Sequence, residues 1–361
     1  MRLVSTTSCP AGSRLARSIY NENGLVLLGE DAELTEPILR RLVQHGIPFV
    51  YIHDERTDDI VVPDVISEET RRTAIQVIRS SFKQLMENRY RQQGLTDIRM
   101  GKRFKDLVRL IIDDVGQNSQ VMLMLTDMSI KDHYLFQHSL NVCLYSIIIG
   151  MACGYTRDEL TTLALGALLH DIGKTMVPDE ILLKPGRLEP PELEIVKKHA
   201  YDGFVMLKDL PNIPLIAAHC ALQHHERLDG SGYPRGIRGD EIHEYAQWIG
   251  LADSYDAMTS HRVYRKAMLP HEAMEVIFTE AGSKFDLDKV VLFRNKVAVY
   301  PLGMTVRLNT GETGIVVDLN GANSHRPVVR VLKDADGQDL QVPYEIDLSK
   351  KLNVMIAGVE Q

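Results

Sequence analysis

The sequence predicts a multi-domain α+β chain: an all-α middle, with a small α+β unit before it and a small β domain after it. Three observations predict this. Residues 121–293 carry helical patterning almost throughout, punctuated by Gly and Pro. Residues 1–65 alternate short strand and helix patterns. After Pro301–Gly303 the pattern changes to short apolar strands separated by Gly- and Asn-rich turns. A chain of 361 residues is also too long for one ordinary core. The expected division is 1–65, a helical linker or regulatory segment 66–126, a helical unit 127–300 and a β unit 301–361.

In the first unit, 15–20 and 24–29 read as strands around the turn Asn21-Glu22-Asn23-Gly24. Residues 35–45 read as a helix stopped by Gly46, followed by a strand over 48–53, and Pro63 closes the unit. A long helix is expected over 67–92. Ile75, Ile78, Phe82, Leu85 and Met86 lie on its apolar face, and Ser67 suits its N-terminus. This helix is a candidate dimer contact, with packing onto its own chain as the equal alternative. Gly94 and Gly101 read as breaks before a second helix from about Phe104 to Val115. The tail strands are expected at Thr305–Leu308, Thr313–Asp318, 328–332 and 340–342.

Apolar residues make up 44% of the chain and charged residues 25%, the balance of a globular protein. The net charge of −8 argues against a general DNA, RNA or membrane-surface binder. An anionic ligand would therefore need a metal or a local cationic patch. Cys9, Cys143, Cys153 and Cys220 form no C-x-x-C pair, which suggests reduced thiols and a cytoplasmic setting rather than a thiolate metal site. No signal-peptide core is apparent, and the apolar run 142–153 is too short to span a bilayer.

Several polar groups fall where the pattern predicts core. The apolar helix 160–169 ends in His170-Asp171, followed by Ile172-Gly173-Lys174, with Gly173 a natural helix stop. A lone His-Asp pair is most often a capped helix end. Here, though, His138 lies inside another apolar helix and His199 follows a Glu- and Lys-rich one. His224-His225-Glu226 precede the turn Asp229-Gly230-Ser231-Gly232-Tyr233-Pro234, and Asp253 lies on an apolar helix face. A buried carboxylate is costly unless it is paired or binds metal. Imidazole and carboxylate together suit Fe, Mn, Ni, Co or Zn, and a shared Asp can bridge two ions. By contrast, His133, His219, His243, His261 and His271 have no matching pattern and are expected to be surface or structural, His219 being the least settled.

These motifs resemble the HD-GYP domain, a subclass of the HD metal-dependent phosphohydrolases. The resemblance rests on His170-Asp171-Ile-Gly-Lys174 together with His224-His225-Glu-x-x-Asp229-Gly-x-Gly232-Tyr233-Pro234. Phe136-x-His138-Ser-x-Asn141 and Asp253-x-x-Asp256-Ala-Met-Thr-Ser-x-Arg262-x-Tyr-Arg265 extend it over roughly 127–293. It implies an HD-type helical catalytic core and two divalent metal ions, Fe or Mn first, with Ni, Co or Zn as alternatives. His138, His170, Asp171 and Asp253 match the ligands of one ion. His199, His224 and His225 match those of the second, with Asp171 bridging. Lys174 matches a lysine on the scissile phosphate, and Arg262 and Arg265 match cations that hold substrate phosphate. Gly232, Tyr233 and Pro234 form the loop that in the family also meets signalling partner proteins. Some members hold a third metal through a glutamate one turn before the first histidine. Tyr134 stands there in this chain, so two metals are expected.

The activity the resemblance implies is hydrolysis of cyclic di-GMP by a dinuclear metal-activated water, to linear pGpG or as far as GMP, two-metal and three-metal members being able to differ in product. Lys174, Arg262 and Arg265 would supply fixed positive charge for the phosphates. Two alternatives stay open: another cyclic dinucleotide such as cyclic GMP-AMP as the substrate, and a signalling adaptor without turnover.

Overall fold

The computed structural model describes residues 1–20, 25–88, 98–117, 134–184, 186–260, 267–321 and 323–359. The expected turn 21–24 and the segment 89–97 lie outside these residues.

The N-terminal unit is rich in short strands and has one helix. Its elements are β1 (Arg2–Ser5), β2 (Ser13–Arg14), β3 (Ile19–Tyr20), β4 (Val26–Leu28), β5 (Glu33–Leu34), α1 (Glu36–Gln44) and β6 (Phe49–Ile52). Of the single strand expected over 15–20 only β3 is formed, and β2 lies just before it, because the chain changes partners along this stretch. Ser13 and Arg14 pair with β5, Leu15 bridges Ile52, and Ile19 and Tyr20 pair with β4. The strand β1, which local patterning did not flag, pairs antiparallel with β6 from Arg2↔Ile52 to Ser5↔Phe49.

The middle of the chain is helical: α2 (Glu68–Asn88), α3 (Ile98–Gln117), α4 (Tyr134–Ala152), α5 (Arg157–Leu169), α6 (Asp179–Leu182), α7 (Pro190–Lys197), α8 (His199–Leu207), α9 (Leu215–Gln223), α10 (Glu244–Thr259), α11 (Pro270–Thr279) and α12 (Leu287–Lys296). Gly101 does not break α3. It sits inside the helix, where an added Cβ would come 2.0 Å from the Pro211 carbonyl oxygen, so it marks a close backbone approach. Helix α5 starts with a capping box in which Thr156 and Glu159 satisfy each other's backbone N–H. Helix α12 starts with the Asp286 carboxylate accepting from Lys289 N.

Helix α4 packs on α5 and α10, and α5 packs on α9. Leu140, Leu144, Ile147, Leu163, Leu165, Leu168 and Ile249 are fully buried there. Each such side chain contributes about 1.5–3 kcal/mol relative to exposure. Among the described residues α4 is the one helix long and apolar enough to cross a bilayer, over Leu135–Ala152. However, 72% of that span is buried inside the protein, as expected of a core helix.

The C-terminal domain is a five-stranded antiparallel sheet in the order β10-β9-β8-β7-β11, formed by β7 (Thr305–Leu308), β8 (Thr313–Asp318), β9 (Val328–Lys333), β10 (Asp339–Asp347) and β11 (Ile356–Val359). Strand β10 extends well beyond the expected 340–342, and β11 adds an edge strand that sequence patterning missed.

One hydrophobic core joins the two ends of the chain. Leu3, Leu15, Ile19, Val50 and Tyr51 pack with Met304, Val306, Ile315, Val329 and Val331. Leu3 bridges Met304, the Tyr51 hydroxyl donates to the Leu302 carbonyl at 3.2 Å, and Arg330 pairs with Asp59 at 2.6 Å. The helical core is a separate cluster, and it carries the polar groups singled out from sequence.

Candidate metal centre

Helix ends and helix interiors converge on one carboxylate. Asp171 follows the last turn of α5 and is fully buried. The segment after it, Ile172–Met176, is a single 3-10 turn rather than the glycine-terminated helix end expected from Gly173. Gly173 serves close packing instead, since a Cβ there would lie 2.0 Å from the His199 carbonyl oxygen. That contact sets the start of α8, and with it His199, beside Asp171.

Two groups of donors meet at Asp171. His138, from the interior of α4, and His170, at the end of α5, form one group with it. His199 at the start of α8, with His224 and His225 after α9, forms the other. Within each group the donor atoms all lie within 4.8 Å of one another. Asp253 on α10 touches both sides: its Oδ1 is 3.0 Å from His138 Nε2, and its Oδ2 is 3.7 Å from His225 Nδ1. His138, His170, His199 and His224 are at most 1% exposed. The opening lies at His225 and Lys174, whose side chains are 17% and 16% exposed.

Ring orientation follows from the backbone. His170 Nδ1 lies 2.7 Å from the Ala167 carbonyl, His199 Nδ1 2.7 Å from that of Val196, and His224 Nδ1 2.9 Å from that of Ala221. A carbonyl only accepts, so each Nδ1 carries a hydrogen and each ring turns its Nε2 inward. Two of these nitrogens, on His199 and His224, face each other at 3.3 Å. Neither has a proton to share, and the nearby Asp171 Oδ1 is buried without a hydrogen-bond partner. Facing lone pairs and an orphan carboxylate oxygen fit a divalent cation, which would satisfy all three.

The electrostatics agree. Burial holds the His199 pKa down to about 3 and lowers those of His224 and His225, so these rings remain neutral donors. Burial also opposes charge on His138, but hydrogen bonds to Asp253 and Asp256 prevail and raise it to about 9. Burial favours the neutral form of Asp171, yet Lys174, His170 and His224 hold it well below the usual carboxylate range. Lys174 donates to Asp171 Oδ2 at 2.5 Å.

Three supporting residues were not assigned roles from sequence. Asp256 is 1% exposed, with Oδ2 2.6 Å from His138 Nδ1, and its Oδ1 accepts from Asn141 at 2.9 Å. Glu226 accepts from Arg235 N at 2.8 Å and Ile237 N at 3.2 Å, tying down the loop that carries Gly232, Tyr233 and Pro234. Arg227 donates to the carbonyls of His224 and Glu226 and to Ser254, bridging that loop to α10. The spacing of Asp256 from Asp253, one helical turn, was the available signal for it. Glu226 stands in the His224-His225-Glu226 motif and holds the loop as a cap would, and nothing local marked Arg227.

Tyr233 stacks on His225, with ring centroids 4.6 Å apart, and Lys197 Nζ lies 5.6 Å from the Tyr233 ring centroid. Gly232 is pressed against the segment 225–227, where a Cβ would lie 2.4 Å from the His225 carbonyl oxygen. Pro234 is exposed on the same loop. Arg262 and Arg265, and the side chain of Tyr134, lie outside the described residues. His219 rests against Phe204, and His243 caps α10 by accepting from Tyr245 N, as structural histidines do.

Residues 128–288 match the HD domain family, and residues 305–361 match a KOW domain associated with the HD domain. A cyclic di-GMP phosphodiesterase of Pseudomonas aeruginosa is 34% identical over 255 residues, which is 69% of this chain and 61% of that protein. A 3'3'-cGAMP-specific phosphodiesterase of Vibrio cholerae is 35% identical over 188 residues, which is 52% of this chain and 43% of that protein. The chain thus spans less than two thirds of the length of either relative. An HDG"Y"P protein from Bdellovibrio bacteriovorus shares the fold, with a TM-score of 0.51 and 18% identity over 81% of this chain and 97% of that one.

Proposed function

We propose, from the premise that this chain belongs to the HD domain family and is of the HD-GYP type, that it is a metal-dependent phosphodiesterase acting on a cyclic dinucleotide. Cyclic di-GMP is the first substrate, opened to linear pGpG, with GMP as the alternative end product. The observation that carries this reading is the buried Asp171 carboxylate, shared by two histidine groups and left with an unsatisfied oxygen.

His138, His170, Asp171 and Asp253 would hold one divalent ion. His199, His224 and His225 would hold the second, with Asp171 common to both. Fe or Mn suits this nitrogen and oxygen set, and Ni, Co or Zn would fit it as well. Ions held there supply Lewis acidity, acidifying water and offsetting phosphoryl charge.

The chain's own residues bind and orient. Lys174 stands at the opening beside Asp171 and is the cation available to a phosphoryl oxygen. Arg262 and Arg265, just beyond α10, are proposed to hold the other phosphate through bidentate contacts. Tyr233, stacked on His225, offers a ring face at the opening for a nucleobase or ribose. The catalytic unit in this reading is 127–300.

The likeness to a cGAMP-specific relative supports a second reading in which cyclic GMP-AMP is the main substrate. An adaptor without turnover would not need the intact donor set, which disfavours that alternative. The test is Asp171→Ala: metal content should fall for both sites together, with loss of hydrolysis. Full metal content in that variant would overturn the shared role of Asp171.

A further inference from the structure

A second cleft opens between the helical core and the C-terminal sheet, bounded by α11, α12 and the loops before β9 and β11. It has a volume of about 500 Å³, within the range of small-molecule sites. None of its lining residues belongs to the metal centre.

Its chemistry is divided. Its lining includes two arginines, Arg294 and Arg326, and the Arg294 guanidinium lies 5.2 Å from the centroid of the Phe278 ring on α11. Arg326 gives three of its five N–H hydrogens to the carbonyls of Leu348, Leu352 and Val354, keeping Nε–H and one terminal hydrogen, and Arg294 reaches Asn295 Oδ1 only at 3.3–3.4 Å. Among the described residues neither pairs with a carboxylate, so both charges stand unneutralised. His325 also lines the cleft, and burial and these two arginines lower its pKa. Glu275, exposed on α11, also lines the cleft, and its charge is felt by Tyr300 and His271. The Tyr300 and His271 rings stack at 5.4 Å and 22°, presenting a planar surface. His271 and His325 each keep a buried Nδ1 without a hydrogen-bond partner. The sequence pattern reads His271 as surface or structural, and this orphan nitrogen is what sets it apart.

We propose that this cleft is a separate binding site for a guanine nucleotide, with its phosphate on Arg294 and Arg326, its base beside Tyr300 and His271, and its base edge on Glu275. Arginines without a carboxylate partner select an anion. The aromatic surface selects a planar ring. A carboxylate offers two adjacent acceptors. Among the common bases only guanine presents two adjacent donors, N1–H and N2–H, on one edge. Adenine would set its N1 lone pair against the carboxylate, a repulsive contact.

The test is calorimetric titration of the metal-free full chain with GMP, AMP and inorganic phosphate, so that the metal centre does not compete. The expected result is one GMP per chain, with AMP and phosphate at least tenfold weaker. Arg294→Ala should weaken GMP at least tenfold. Glu275→Gln, a change at an exposed side chain that leaves folding intact, should bring GMP and AMP to similar affinity. Absence of GMP binding, equal affinity for phosphate alone, or GMP binding indifferent to both substitutions would each overturn the proposal.

Discussion

The Asp256 carboxylate lies 2.6 Å from His138 Nδ1, on the ring edge opposite the nitrogen that faces Asp171 and Asp253. A carboxylate behind a donor histidine fixes its tautomer and orientation and raises its basicity. Asp256→Ala should therefore weaken metal binding or activity by about 10–100-fold, while leaving the remaining donors in place. Metal titration of the variant against wild type checks this. Unchanged metal affinity would reduce Asp256 to a packing role.

Glu226 holds the loop backbone rather than the metal. Glu226→Ala leaves the N–H groups of Arg235 and Ile237 without their acceptor, Ile237 being buried. The expected cost is about 1–3 kcal/mol. Faster hydrogen exchange should appear first at those two amides. Exchange that stays slow there would show that the loop is held by other contacts.

Thr156→Ala tests the capping box of α5 far from the opening. The loss should be about 1 kcal/mol of stability, seen as a Tm lower by a few degrees, with hydrolysis per mole of metal unchanged. A matching loss of activity would mean that α5 transmits strain to His170 and Asp171.

The metal-free protein should lose stability on mild acidification. His199 has a folded pKa near 3, and His224 and His225 are also depressed, so on unfolding these rings take up protons below their ordinary value of 6.5. The unfolded state then binds more protons, and stability falls as pH drops below 6.5. His138, raised to about 9, has the opposite sign: its contribution is fully present below 6.5 and is lost as pH rises toward 9. Asp171 and Asp253, held low, lose their contribution only below about 3.8. Melts of chelated protein should give a Tm that decreases from pH 6.5 to 5. A Tm that rises over this interval would contradict the neutral-ring assignment.

What the sequence made legible was local. His224-His225 and His170-Asp171 were readable because polar pairs interrupting apolar helices demand an explanation. The helix positions of His138 and Asp253 followed from the same reasoning. What escaped depends on contacts distant in sequence. Strand β1 owes its existence to β6, and its apolar residues to a core shared with residues beyond 298. Gly101 reads as a breaker until Pro211 is seen against it. Arg227 escaped because its partners, two backbone carbonyls and the Ser254 hydroxyl, are ones that no local pattern encodes.

The central claim is metal-dependent hydrolysis of a cyclic dinucleotide at Asp171, and the direct measurement is turnover by the full chain with its metal content known. The protein is purified without oxygen, loaded with Fe or Mn, and its metal is quantified. Cyclic di-GMP and cyclic GMP-AMP are then each followed by chromatography. The account predicts two metals per chain and conversion of cyclic di-GMP to the linear dinucleotide. Two bound metals with neither cyclic dinucleotide consumed would contradict it.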